Sequence, residues 1–283
     1  MKSNKSKAIL GKSVGDAVSN VLIILFCLGS IFPLYWLLTG SVKYSPDIMK
    51  IPPDWIPVRI TLDNYARIFA DNPAFRWIFN SFFSAISATL GIILVSSSAG
   101  YAISKLKFPG KNLLFGFVIA ALVLPKEVYL LPLYQLMVKF GWLGTLKSII
   151  LPDIAMPFGV FLLKQFYDNI PDEISEAATI DGCGPIMYFF RFGIPLSKPG
   201  IGALGILAFI RVWNGYLWQY IMATDKLTYT LPVGVARLVD NPDIVDYSLK
   251  FAGASIAAIP LLIIFLIFQR YFTSGITAGA VKG

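Results

Sequence analysis

The feature that most constrains this chain is a set of six apolar runs, each near the length at which a helix crosses a bilayer. They cover about 17–38, 75–103, 112–131, 146–166, 199–222 and 251–271. A hydrocarbon core about 30 Å thick takes roughly 20 apolar residues of helix. Lipid offers no hydrogen-bond partner to an open backbone, so such segments cross as helices that satisfy their own N–H and C=O groups. A mean hydropathy of +0.69 and a charged fraction of 14% over 283 residues argue against a water-soluble domain. The expected class is all-α, a polytopic membrane protein with six transmembrane helices in one domain.

Charge sets the expected orientation. Lys2, Lys5, Lys7 and Lys12 precede the first run against one acid, Asp16. Residues 1–16 therefore read as a cytoplasmic tail, and the run as an uncleaved span, since it ends in Pro33-Leu34-Tyr35-Trp36 without a small-residue cleavage site. Gly11-Lys12-Ser13 has the ending of a phosphate-binding loop, but Ser6 stands where that loop needs glycine and no strand precedes it. Residues 43–74 are polar and proline-punctuated, an external loop in which 61–69 has the spacing of a short surface helix. The second run carries Ser81, Ser84, Ser87, Ser96 and Gly100, small residues that let helices approach, and is expected inside the bundle. Lys105, Lys107 and Lys111 then mark a cytoplasmic turn. Pro125, Pro152 and Pro157 predict kinks or breaks in the third and fourth spans. Residues 17–272 form the membrane domain, its core about 75–272, and 273–283 a small, polar cytoplasmic tail.

Several functions are disfavoured. The chain has no histidine, the commonest general base and metal ligand. Cys27 lies in an apolar run and Cys183 in a polar insert, a poor arrangement for a disulfide. The net charge of +8 is read as orientation and contact with anionic lipid, since no basic stripe interleaved with aromatics suggests nucleic acid.

The polar insert at 168–198 lies between the fourth and fifth runs, on the cytoplasmic side by this topology. Pro171 suits a first helical turn, and Asp172 and Glu173 suit its positive dipole end. Gly182 can supply a left-handed stop. Pro185 can open a second short helix through Phe192, ending before Pro195. The apolar residues of this hairpin, Ile174, Ala177, Ala178, Ile180, Ile186, Met187, Phe189 and Phe190, exceed what the loop itself can cover. They pack on the inner ends of the spans or enter a partner.

The spacing of this insert carries a resemblance. Glu176-Ala177-Ala178, three residues, Gly182, then nine residues before Phe192-Gly193-Ile194-Pro195 resembles the EAA loop of ABC importer permeases. Phe192 stands where that loop usually has isoleucine and Ile194 where it usually has leucine, both keeping apolar bulk. Pro171, Asp181, Trp213-Asn214 and the ending Thr277-Ala278-Gly279-Ala280-Val281-Lys282-Gly283 resemble the MalG-like carbohydrate-uptake branch. The resemblance implies a type I importer permease in a bacterial or archaeal cytoplasmic membrane, with both termini inside. It implies half of a translocation pore, paired with a second homologous permease, an ATPase dimer and an extracytoplasmic solute-binding protein. ATP and Mg would be held by the ATPases, with no cofactor or metal in this chain. Glu173, Glu176, Ala177, Ala178, Asp181, Gly182 and Pro185 become the expected coupling residues, the hairpin docking in an ATPase cleft. The last seven residues would meet the ATPase pair.

Ionisable residues near or within spans are the remaining candidates: Lys126, Glu127, Asp153 and Arg211. Lys126, Glu127 and Asp153 read equally well as end residues that snorkel to water. Arg211 is deeper, and with Asn214, Tyr216 and Gln219 it forms an expected substrate path. Hydrogen-bonding side chains beside aromatic faces match a sugar ring. Helix packing with an interfacial aromatic belt explains the same residues. Arg211 leaves a glycerol-phosphate-type solute open. An ion-coupled secondary transporter would call for internal repeats and a buried carboxylate relay, which the sequence does not display. A membrane-embedded enzyme would call for a nucleophile–base set.

Overall fold

The computed structural model describes residues 3–238 and 246–280, with side chains over 15–238 and 246–267. All regular structure among them is helical. The helices are α1 (Ser3–Ser41), α2 (Ser45–Ile48), α3 (Asp63–Asp71), α4 (Ala74–Lys105), α5 (Lys111–Val123), α6 (Lys126–Lys139), α7 (Leu146–Ile154) and α8 (Pro157–Asp168). There follow α9 (Asp172–Ile180), α10 (Pro185–Tyr188), a π-turn (Phe189–Gly193), α11 (Ile194–Leu196), α12 (Lys198–Trp213), α13 (Leu217–Met222), α14 (Leu231–Arg237) and α15 (Tyr247–Ala280). The chain divides into two units, one of Met1–Asp71 and Leu238–Ile256, the other of Asn72–Arg237 and Ala257–Gly283.

In the first unit the polar loop after α1 is pinned by short local ties. Asn64 Nδ2 donates to the carbonyls of Ser41 and Lys43, each at 2.9 Å, so α3 is seated on the end of α1. The expected surface helix starts where Thr61 Oγ1 accepts from the Asp63 N–H at 3.1 Å. Arg67 pairs with Asp246 at 2.8 Å. Burial pushes that carboxyl upward, but hydrogen bonds from Ser248, Arg67 and the Leu249 N–H outweigh it and leave its pKa below the usual carboxylate value. Most apolar side chains of α1 from Val18 to Phe32 are exposed, a face made for lipid or another subunit.

The second unit is organised on α4. Its small and polar side, Ser81, Ser84, Ala85, Ala88, Ser96 and Gly100, is buried. Phe75, Phe79, Phe83, Ile86, Leu90 and Leu94 are exposed on the other side, a 3.6-residue alternation that turns aromatic and aliphatic bulk to lipid. Gly100 lies so near α8 that a Cβ there would come within 2.9 Å of the Lys164 nitrogen. The sequence expectation of an interior second span therefore holds, and α4 packs along α7, α8 and α12.

Among the described residues, four stretches are long and apolar enough to cross a membrane: Gly15–Ser41, Ala74–Lys105, Leu146–Asp168 and Tyr247–Ile267. Two bent pairs raise the number to six if each is one span: α5 with α6, at 102°, and Pro185–Leu196 with α12, at 76°. Proline accounts for the first bend. Pro125 forces Leu124 out of the helical region to ψ 116°. The fifth run differs from its expected bounds of 199–222, because α12 stops at Trp213 and α13 resumes only at Leu217. The α15 helix runs on through residue 280, so 273–280 continue it; residues 281–283 of the expected tail, like residues 1–2, lie outside the described part.

Candidate functional site

The hairpin at 168–198 begins with α9, whose first turn carries Asp172 and Glu173 after Pro171. It ends in a complete Schellman closure. The Cys183 N–H reaches the Ala178 carbonyl at 2.8 Å and the Gly182 N–H the Thr179 carbonyl at 3.0 Å, with Gly182 at φ +78°. Pro185 opens α10 as expected. The second helical stretch, expected to end before Pro195, instead passes it and reaches Leu196. The Ile194 N–H bonds five residues back to Phe189. This wider turn spares the chain the N–H that Pro195 lacks and makes room for its ring.

The end of α4 fastens this hairpin at its first root and at the start of its second arm. Lys105 Nζ donates at 2.6 Å to the Ile170 carbonyl and at 2.6 Å to Asp172 Oδ1. Tyr101 Oη donates to the Pro185 carbonyl at 2.9 Å, and its ring lies 5.1 Å from Phe189 and 5.7 Å from Tyr167, centroid to centroid. Ser104 bonds Asp168 at 2.6 Å. The hydrogen bond and charge of Lys105 hold the Asp172 carboxyl below its ordinary pKa. The tie is thus complete above the ordinary carboxylate range and is lost as pH falls through the lowered value. From the sequence, Lys105 was a marker of orientation alone. Its nitrogen now proves to be a clamp on a segment 67 residues away.

The clamp decides which side of α9 is presented. Ala178 is buried and Ile174 half-buried. Glu173, Glu176, Ala177 and Ile180, spaced to share the opposite face, are exposed, Ile180 at 86%. Asp181, Gly182 and Pro185 are exposed at its end, and Ile186, Met187 and Phe190 add apolar surface beyond it. Of the apolar residues expected to need cover, Ala178 and Phe189 find it within this chain. Among the described residues no three carboxylate, cysteine or histidine side chains are gathered as a metal site.

A second constellation forms where the broken helices meet. Lys126, at the start of α6, lies 2.7 Å from Asp153 Oδ1 near the end of α7, and Arg211, near the end of α12, lies 3.7 Å from the same oxygen. The Asp153 side chain is 9% exposed and Lys126 also stands over the Trp218 ring at 5.5 Å. Two cations on one carboxylate leave a net charge of +1. Asp153 and Lys126 are thus paired rather than independent snorkelling ends, whereas Glu127 is exposed.

Arg211, Asn214 and Tyr216 are exposed at the α12 break, but Gln219 is not with them. Gln219 is 2% exposed, its Nε2 donates to the Val212 carbonyl at 2.8 Å, and its Oε1 accepts from Thr230. It braces the corner between α12 and α13, with both ends of the amide engaged. Gly215 makes room, since a Cβ there would come within 2.6 Å of Gln219 Nε2. We expect Gln219→Leu to leave the buried Thr230 hydroxyl without its partner, a cost of about 1–3 kcal/mol, while the Val212 carbonyl keeps the Gly215 N–H at 3.1 Å. A lowered melting temperature of the purified protein checks this; an unchanged one would return Gln219 to the solute path.

Comparison with known proteins fits this architecture. Residues 89–278 match the family described as the binding-protein-dependent transport system inner membrane component. The arabinooligosaccharides transport system permease protein AraQ of Halalkalibacterium halodurans is 36% identical over 90% of this chain and 92% of its own length. The sn-glycerol-3-phosphate transport system permease protein UgpE of Brucella abortus is 31% identical over 94% of this chain and 97% of its own. A crystal structure of a bacterial ABC transporter involved in import of the acidic polysaccharide alginate includes a chain that superposes with a TM-score of 0.82 at 20% identity, covering 93% of this chain and 98% of that one. The class is therefore an integral membrane component of an ATP-driven importer, a transport subunit and not an enzyme. This chain belongs to the family of binding-protein-dependent transport system inner membrane components, the permease subunits of ABC importers.

Proposed function

We propose that this chain forms half of the translocation pore of an importer for a sugar or oligosaccharide. It crosses the cytoplasmic membrane six times with both ends inside, and the hairpin 168–198 is its coupling helix. The observation that carries the reading is the exposed Glu173–Glu176–Ala177–Ile180 face on a loop clamped to α4 at its first root and at the start of its second arm. Carboxylates suit a basic-lined cleft, and Ala177 permits close backbone approach. The partners in this reading are a second, homologous permease, an ATPase dimer that binds ATP and Mg, and an extracytoplasmic solute-binding protein. ATP-driven closure of the ATPases would draw the hairpins together and turn the pore outward. The chain's exposed apolar surface is met by lipid and by the second permease. The relatives named for arabinooligosaccharides and alginate support the carbohydrate class.

The net positive charge around Asp153 and the relative named for sn-glycerol-3-phosphate favour an anionic solute as the second reading. A binding assay on the partner binding protein, with neutral oligosaccharides against sugar phosphates, separates the two. Purifying the complex tests the class itself. Loss of uptake with the ATPase subunits is expected, and gradient-driven uptake by this chain alone would overturn it.

Arg211 and Asn214 are the accessible members of the expected path. Asn214→Ala and Arg211→Ala are expected to lower uptake by about tenfold each, as for a lost solute hydrogen bond of roughly 1.5 kcal/mol. Affinity of the binding protein for solute should stay unchanged. Undiminished uptake in both variants would reassign the break to packing.

A further inference from the structure

The α4 helix touches more than the hairpin. At its other end Trp77 Nε1 donates to the Lys226 carbonyl at 2.8 Å, and Asn80 Nδ2 donates to the carbonyls of Leu227 and Tyr229 at 2.8 Å each. Ser81 Oγ accepts the Leu231 N–H at 2.7 Å. Those ties hold the loop between α13 and α14 together with the first residue of α14, called here the 224–231 loop. Ser81 and Tyr101 are 20 positions apart, about 30 Å at 1.5 Å per residue, the thickness of the hydrocarbon core.

The α4 helix is also the stiffest connection available. Its 32 residues contain no proline. By contrast, α1, α6, α7 and α15 carry internal prolines, and α12 stops at the break after Trp213. The covalent exits from the hairpin are turns, at Asn169–Pro171 into α8 and at Ser197 into α12. A displacement of the hairpin can be absorbed in a turn, but not between a clamped root and an unbroken helix.

We propose that Lys105 and Tyr101 are positioning residues for coupling, fastening the hairpin to α4, and that α4 carries its movement across the membrane to the 224–231 loop. The proposal rests on the reading of the hairpin as the coupling helix. Movement of the hairpin takes Ile170, Asp172 and Pro185 with it. Lys105 and Tyr101 follow through their hydrogen bonds, and Trp77, Asn80 and Ser81 displace the loop at the far side. The same path works in reverse, so an event at the 224–231 loop reaches the ATPases through α4.

The test uses the whole complex in liposomes with its ATPases and binding protein, and reads uptake per ATP hydrolysed. It also reads the stimulation of ATP hydrolysis by loaded binding protein. The Tyr101→Phe, Lys105→Met variant should lose about tenfold in both ratios, as expected for three lost ties, two of them from the charged Lys105 ammonium. Lys105→Arg should retain them. Asn80→Ala, at the opposite end of α4, should lower the same ratios. A role in packing alone would reduce the amount of assembled complex and leave the ratios of what assembles unmoved. If the double variant fails to assemble, Tyr101→Phe and Lys105→Met singly decide. Wild-type ratios in the assembled clamp variants, or in Asn80→Ala, overturn the path. Glu176→Lys measured alongside separates the two readings: lost coupling there with intact clamp variants sinks only the α4 path, and no change in either sinks both.

Discussion

Glu176→Lys combined with Gly182→Pro is expected to abolish uptake while the membrane helices remain assembled. Gly182 sits at φ +78°, and a Cβ added to it would meet nothing within 4 Å. Gly182→Ala therefore isolates the backbone term, about 1–2 kcal/mol, or a factor of about 5–30 in the population of the native turn. Proline is worse in kind. Its ring holds φ near −65°, so the left-handed turn becomes inaccessible, and it deletes the N–H that reaches Thr179 at 3.0 Å. The direction of the chain from α9 into α10 would change. Glu176→Lys then reverses charge on the exposed face, turning attraction to the proposed basic-lined cleft into repulsion. Both positions are exposed and make no contact that the spans depend on. Uptake into liposomes by the reconstituted complex is the measurement, with ATP hydrolysis recorded in parallel. The ordering Gly182→Ala, then Gly182→Pro, then the pair is part of the expectation, and normal uptake in the pair would remove the hairpin from the mechanism.

Asp153→Asn is expected to destabilise the protein by removing the carboxylate that two cations share. The Asp153 side chain is 9% exposed and Lys126 30% exposed, so the pair is partly buried, and losing a charge-assisted hydrogen bond at such a site costs about 1.5–3 kcal/mol. Here the partner left behind is Lys126, 2.7 Å away, with Arg211 at 3.7 Å adding repulsion between the two cations. Arg211 is 41% exposed and can be solvated, whereas Lys126, at 30%, is held over the Trp218 ring and is less free to turn to water. The companion variant follows from that difference. Asp153→Asn with Lys126→Met removes the pair together and should recover most of the lost stability, leaving Arg211 to solvent. Thermal unfolding of the purified protein in detergent reads both. A single variant that melts like the wild type would show that Asp153 does not pin these helix ends, and a double variant no better than the single would show that Lys126 is not its energetic partner.

The positions at which the chain enters and leaves helix were largely legible because the signals are local. Runs of apolar residues of bilayer length, Pro125 ending α5, Pro171 and Pro185 opening short helices and Gly182 closing α9 all act within a turn of where they stand. Small residues on one side of α4 likewise marked a face for close packing. The second half of the hairpin passes Pro195 through a π-turn, a rearrangement that no single residue type announces. The break at Asn214–Tyr216 is hidden in the sequence because hydropathy continues past it.

The functional side chains divide in the same way. The loop spacing from Glu176 through Gly182 to Pro195 was readable in one dimension, and so was the ionisable character of Asp153 and Arg211. What each of those groups touches was not. Lys105 and Asp172 are separated by 67 residues, Trp77 and Lys226 by 149. Gln219 had the chemistry of a sugar ligand and turned out to brace a corner. A lysine, a tryptophan or a glutamine advertises its donors in the sequence but not its acceptors, which are carbonyls of whichever segment packs alongside.

The sequence by itself therefore determined that this is a membrane protein of helices carrying a permease-type loop, since apolar length, proline and glycine act through the backbone next to them. Only the tertiary structure decided that the hairpin is clamped to α4, that three helix ends share the carboxylate of Asp153, and which face of α9 is left open. Those outcomes depend on which helices become neighbours, and that choice is made by close packing among surfaces far apart in the chain.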